Sequence, residues 1–172
     1  MGWTRRYFLL ILTLFLAGCA SNPIDFSKGK TLPQGEAIVF GRVGVIYKGE
    51  PKIWKYRVFL ILVLPTNTSE AFSYGLLGDG SFYWHLPPGA YAISGFDWIE
   101  TGRRGRIFAE FVVAEGEPII YIGKLTLDFV QRYRYVMRVE DDYDLAIQKF
   151  KEKFPEIEAE PTKNLMKLEV LR

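Results

Sequence analysis

Thiols and imidazoles are almost missing from this chain: its 172 residues include one cysteine, Cys19, and one histidine, His85. A disulfide within the chain is therefore impossible, and a thiolate metal centre cannot be assembled. Zinc or iron held by sulfur and imidazole needs several such ligands and is excluded on the same ground. Calcium asks only for oxygens, but the acidic run Glu140, Asp141, Asp142 and Asp144 lacks the alternating ligands and glycine of a calcium loop. Glycine-rich phosphate loops, esterase elbows and paired-carboxylate motifs do not occur. No metal, cofactor or catalytic residue is therefore expected. A surplus of one charge is missing as well. Arg5 and Arg6 fall in the first 18 residues, which hold no acid, so the 22 Lys and Arg less these two balance the 20 Asp and Glu elsewhere. A nucleic-acid partner, which calls for a marked basic excess, is not expected.

No apolar run is long enough to span a bilayer comfortably. The longest uninterrupted by charge begins at Phe8, is broken only by Thr13, and with Ala17 and Gly18 reaches about a dozen residues. Preceded by Arg5 and Arg6, it reads as an export signal. Leu16-Ala17-Gly18-Cys19 resembles the bacterial lipobox. That resemblance implies a diacylglyceryl group on the Cys19 thiol, cleavage after Gly18, and a mature protein held on a membrane by palmitate-like acyl chains. Two or three such chains, at about 0.8 kcal/mol per buried methylene, anchor stably where one does not. An ordinary secretory signal with an incidental cysteine, or an uncleaved anchor, are the competing readings. Thr4-Arg5-Arg6-Tyr7-Phe8-Leu9-Leu10 also resembles a twin-arginine export motif, although the missing Lys and the very apolar core favour the general secretory route. Ala20 stands where inner-membrane retention is associated with Asp. In a cell with two membranes this implies the outer one.

Residues 20–35 mix Ser, Asn, Pro, Lys and Gly and read as a tether. Sixteen such residues span roughly 50 Å at full extension. The rest of the chain suits one domain: apolar residues make up 49% and aromatics 16% of the sequence, enough for a packed core and too much for disorder. From residue 36 onward short apolar runs alternate with turn signals. Strands are predicted at Ala37–Tyr47, Trp54–Leu64, Ser81–Leu86, Tyr91–Ile99, Arg106–Ala114, Ile119–Phe129 and Gln131–Val139. Val39, Val43, Val45 and Tyr47 share a face, and Phe82, Trp84 and Leu86 share another with Tyr83 and His85 opposite. Spacing of about ten residues between turns suits an antiparallel β-sandwich of seven to eight strands. One amphipathic helix is predicted next. Asp141 and Asp142 suit its positive end, Lys149, Lys151 and Lys153 its negative end, and Tyr143, Ile147, Phe150 and Phe154 form an apolar stripe to pack on the sandwich. Pro155 ends it.

Gly80-Ser81-Phe82-Tyr83-Trp84-His85-Leu86-Pro87-Pro88-Gly89-Ala90-Tyr91-Ala92-Ile93 resembles the central signature of prealbumin-like domains, among them the carboxypeptidase regulatory-like families. The resemblance implies two strands joined by a Leu-Pro-Pro-Gly corner, with Phe82, Trp84 and Tyr91 meeting in the core. Gly89 is the residue there expected to need positive φ. Such domains serve mostly as binding or spacing modules. Tyr121-Ile122-Gly123-Lys124-Leu125 resembles a strand of small bacterial lipoproteins.

The candidate contact surface comprises Tyr83 and His85 on the outward face of their strand, and Arg103, Arg104 and Arg106 crowding a hairpin tip. An exposed, non-catalytic role is expected for His85, since no motif supplies a nucleophile and an orienting carboxylate. The arginines suit a solvated loop or lipid phosphates. Arg132, Arg134 and Arg138 share one strand face, read as wet or paired with the helix acids. Tyr83 and Trp98 raise a sugar-stacking platform against the default of core packing. The leading expectation is a lipid-anchored envelope protein binding another envelope protein. A glycan-binding module and a hydrolase with a dispersed site are the alternatives.

Overall fold

The computed structural model describes residues 25–51, 54–67, 71–98, 102–131 and 134–169. Leu16, Ala17, Gly18 and Cys19 lie outside the described residues. In chain order the elements are β1 (Ala37–Tyr47), β2 (Glu50–Pro51), β3 (Trp54–Pro65), β4 (Phe72–Gly78), β5 (Ser81–Leu86), β6 (Gly89–Trp98), β7 (Arg103–Val113), β8 (Ile119–Gln131), β9 (Arg134–Glu140), α1 (Tyr143–Lys153), β10 (Thr162–Lys163) and β11 (Lys167–Leu168). Among the described residues they form a β-sandwich with one helix, mainly β as the alternation predicts. In the first sheet β1 and β8 lie side by side. β5 and β2 pair with the far side of β1, and β9 and β10 with that of β8. The second sheet runs β11-β7-β6-β3-β4.

Inward residues of both sheets interleave in one core, with Val39, Val43 and Val45 of β1, Phe82, Trp84 and Leu86 of β5, and Tyr91, Ile93 and Phe96 of β6 among its members. The Leu-Pro-Pro-Gly corner is the crossing point between sheets, because β5 pairs in the first and β6 in the second. Phe82 stacks on Trp84 at 3.9 Å between ring centres, and Tyr91 on Phe111 at 5.6 Å. Gly89 does not have positive φ. Its backbone enters the ladder at once, opposite Val113, and an extended residue needs no left-handed freedom.

A second apolar cluster lies on the other side of the first sheet. There Ile38, Phe40, Tyr83, Ile119 and Tyr121 meet Ala146 and Phe150 of α1, with Phe154 and Phe26. Covering on both faces explains why Ala37–Phe40 and Ile119–Ile122 are continuously apolar where a one-faced strand would alternate. It also corrects the place of Tyr83. That side chain does point away from the sandwich core, yet it is only 6% exposed, because α1 lies over it.

Pairing is not antiparallel throughout. β1 with β8, and β8 with β10, run parallel. Several strands intervene between β1 and β8, so no hairpin dictates their relative direction. Between Phe40↔Tyr121 and Arg42↔Lys124, β1 spends one residue and β8 two. The extra residue is a bulge at Gly123, whose φ of +94° suits glycine. Through it β8 changes phase: Ile120 and Ile122 face the core before the bulge, and Leu125, Leu127 and Phe129 after it.

The segment expected to be a tether is docked from Asp25 onward. Asp25 bridges to Trp84, the Phe26 N–H donates to the Tyr83 carbonyl at 2.8 Å, and the Phe26 ring is buried 5.1 Å from that of Phe154. A single aromatic in a polar stretch is enough, because α1 and β5 leave it an apolar notch.

Candidate functional site

The clearest polar constellation on one end of the sandwich follows from strand register. Ala37 pairs with Leu86 and Ile38 with His85, which brings Glu36 beside the imidazole. His85 Nδ1 and Glu36 Oε2 are 2.5 Å apart, with the side chains only 19% and 23% exposed. His85 is therefore half-buried and partnered, where an exposed residue was expected. Among the described residues Glu36 is its hydrogen-bond partner, and no hydroxyl is bonded to it. A carboxylate and an imidazole orient each other, but acyl transfer also needs a nucleophile within hydrogen-bond reach.

Close by in sequence, the corner forms one wall of a cavity of about 240 Å³. Pro65 and Asn67 at the end of β3, Phe72 of β4, and Pro87 to Tyr91 line it. The Tyr91 hydroxyl donates to the Pro87 carbonyl at 2.8 Å, tying the new strand back to the corner. Burial, and then the charge of Glu36, raise this phenol above its ordinary pKa. Pockets for small molecules usually start at about 300 Å³. This one suits a single inserted side chain better than a whole ligand.

A third group fixes the helix. The Asp142 carboxylate accepts from Arg42 Nη1 at 2.7 Å and from the Tyr121 hydroxyl at 2.8 Å, and the Asp142 N–H donates to that same phenol oxygen at 2.9 Å. Asp142 is the N-cap of α1 yet makes no side-chain cap, because its oxygens are taken by the sheet below. Asp141 pairs with Lys163 at 3.1 Å and Glu140 with Lys124 at 2.7 Å. Further along, Lys149 pairs with Asp79. Burial opposes ionisation of Asp79, but hydrogen bonds from Lys149 and the Ser81 N–H outweigh it and hold the carboxyl at about 2. Asp142 thus pins the start of α1 to the first sheet, while Glu140 of β9 pairs within that sheet. Among the described residues no group of three His, Cys, Asp or Glu is placed to hold a metal.

Arg103, Arg104 and Arg106 stand on the β7 side of the β6–β7 hairpin, at the end of the ladder nearest its turn. Trp98 pairs with Arg103, Asp97 with Arg104 and Gly95 with Arg106, so the three arginines belong to the β6–β7 ladder. Arg104 is 83% exposed and reaches Asp97 at 2.9 Å. Arg106 is exposed, and its carbonyl accepts the Tyr135 hydroxyl at 2.7 Å. The side chains of Trp98 and Arg103, and residue Arg132, lie outside what the structure describes. Arg138 pairs with Asp128 and Glu140 rather than with a helix acid. The structure thus joins His85 to Glu36, buries Tyr83, and keeps Arg104 and Arg106 apart from both. Glu36 had no signal of its own in the sequence, since only the β1–β5 register reveals its neighbour.

Five tyrosines resist ionisation. Burial foremost raises Tyr74, Tyr83, Tyr91, Tyr121 and Tyr135, aided at Tyr74 by Asp25 and at Tyr121 by Asp142. A phenol whose folded pKa exceeds its unfolded value of about 10 lends stability that is intact below that pH and lost as pH rises toward the folded value. The stability these tyrosines lend should therefore be intact through neutral pH and fall above about pH 10. The share of the 295 nm absorbance change that belongs to these five tyrosines should then appear together with the loss of far-UV circular dichroism. Ionisation of all ten tyrosines near the ordinary phenol pH in a still-folded protein would contradict this.

Compared with known proteins, the chain matches no family model, no curated protein and no solved structure.

Proposed function

We propose that this protein is a lipid-anchored component of the bacterial cell envelope, whose sandwich is a non-catalytic module that binds another envelope protein. The observation that carries the reading is the succession of an apolar run, Leu16-Ala17-Gly18-Cys19, and then a body whose packed residues begin at Asp25 and Phe26. An acylated Cys19 lies directly ahead of that body in the chain. Where the cell has two membranes, Ala20 favours the periplasmic face of the outer membrane. The prealbumin-like corner supports a binding or spacing module. A cavity of about 240 Å³ suits one side chain of a protein partner. A sugar-stacking reading loses Tyr83, which α1 covers.

Cys19→Ser is the test. The wild-type protein extracted from membranes should show by intact mass a chain starting at Cys19 and carrying two or three acyl groups. The variant should appear as unprocessed precursor or as released protein. An unacylated Cys19 in membrane-extracted wild type would sink the anchor. A purified domain that hydrolyses a glycan or an ester, with turnover lost in His85→Ala, would sink the non-catalytic part.

A further inference from the structure

The leash between lipid and body is short, and it leaves from one particular edge. Asp25 is held by a backbone bridge to Trp84 and by Tyr74, whose hydroxyl donates to Asp25 Oδ1 at 3.0 Å. Lys30 Nζ donates to the Asp25 carbonyl at 2.9 Å, and Phe26 is sealed beneath Phe154 at the end of α1. These contacts come from β4, β5 and α1, which together make one lateral edge of the sandwich. β7, β9 and β11 make the opposite edge, joined by the Tyr135 bond to Arg106.

From Cys19 to Asp25 is six Cα steps, about 20 Å at full stretch. A body of this length has a radius of gyration of about 15 Å, hence a width of roughly 40 Å. The leash is shorter than the body is wide, so the lipid cannot reach around to the far edge. We infer that the edge built from β4, β5, residues 25–30 and the C-terminal end of α1 faces the lipid surface, while the β7–β9–β11 edge is presented away from it. This orientation rests on the lipid anchor proposed above.

The near edge carries the exposed Lys28, Lys30 and Lys153, with the Lys153 ammonium 4.2 Å over the Tyr83 ring. Asp25, Asp79 and Glu152 stand among them, each within range of Lys153 or Tyr83, and Lys149 and Lys151 on the same end of α1 are paired with Asp79 and Glu160. Cations and anions nearly balance, so the lipid supplies the attachment and charge does not. Vesicle association should accordingly survive high salt, unlike a polybasic contact, which salt screens.

The full chain is expressed with its signal, purified with Cys19 acylated, and placed on vesicles of phosphatidylethanolamine and phosphatidylglycerol. Because Cys19 is the only cysteine, Lys28→Cys and Lys167→Cys each give one labelling site, on the near and far edges. Energy transfer to an acceptor lipid should be several-fold stronger from position 28 than from 167. Inserting a Gly-Ser linker of about twelve residues after Ala20 should erase most of that difference, since a flexible chain of that length adds free reach. Equal transfer from both positions in a chain shown by mass to be acylated would overturn the orientation and leave the anchor standing. A wild-type chain extracted from membranes and shown by mass to carry no acyl group on Cys19 would overturn the anchor, and the orientation with it.

Discussion

Replacing Trp84 by Ala should cost about 3–5 kcal/mol of folding stability, the usual range for removing a large buried aromatic. Trp84 has no exposed surface and belongs to the central core. It stacks on Phe82, meets Tyr74 edge-on at 5.7 Å, and lies 6.2 Å from Phe111 across the sandwich. Both sheets therefore lose contacts, and the void cannot close without moving one against the other. Its backbone also receives the bridge from Asp25, so the docked N-terminal segment sits on the same strand. For a domain of this size the loss corresponds to a fall of roughly 6–20 °C in Tm. The indole N–H has no hydrogen-bond partner among the described residues, so packing dominates the effect. Trp84→Phe should consequently cost well under half as much. A denaturant midpoint unchanged in Trp84→Ala would show that the inward face of β5 is misassigned.

The face of β5 was legible because a period of two is visible in six residues, and its corner because prolines and glycine punctuate it. The cover over its other face was not. Alternation places Tyr83 and His85 opposite the core, yet it says nothing of a helix arriving sixty residues later. The clue was there in two separate places: an apolar stripe on α1 needed a partner, and the unbroken apolar runs at Ala37–Phe40 and Ile119–Ile122 had a face to spare. β4 escaped notice because Gly75, Gly78 and Ser73 weaken its pattern, and it is held by pairing with β3. β2, β10 and β11 have two residues each and owe their shape entirely to neighbours. The same holds for the Glu36–His85 pair and for the parallel β1–β8 ladder, both of which are consequences of register. Local propensity does not encode them. Phe26 was lost among polar residues, because composition measures a segment and docking can depend on one ring.

The bulge between β1 and β8 makes Gly41→Ala the second large effect. Gly41 occupies an inward position of β1, in phase with Val39 and Val43, but carries no side chain to fill it. β8 uses the room: a Cβ built at Gly41 would stand 2.8 Å from Phe82 Cζ and closer still to the Gly123 carbonyl oxygen. A flexible side chain can swing aside, but Phe82 is stacked on Trp84 and the carbonyl belongs to the bulged backbone. Relief therefore requires the two central strands to part. Overpacking of this kind costs about 1–3 kcal/mol, and a clash with backbone belongs at the upper end or beyond. Gly89→Ala is the matched control. Its φ is not in the left-handed region, and its nearest new contact is an ordinary 3.4 Å to the Tyr91 ring. Removing that glycine's freedom in the unfolded chain should leave stability unchanged or raise it by about 0.4–1 kcal/mol. Chemical denaturation of the two variants side by side, with equal slopes, isolates the clash from the general effect of losing a glycine. Were Gly41→Ala as stable as Gly89→Ala, the close approach of β8 to β1 at the bulge would be refuted. The phase change that puts Leu125, Leu127 and Phe129 into the core would then need another cause.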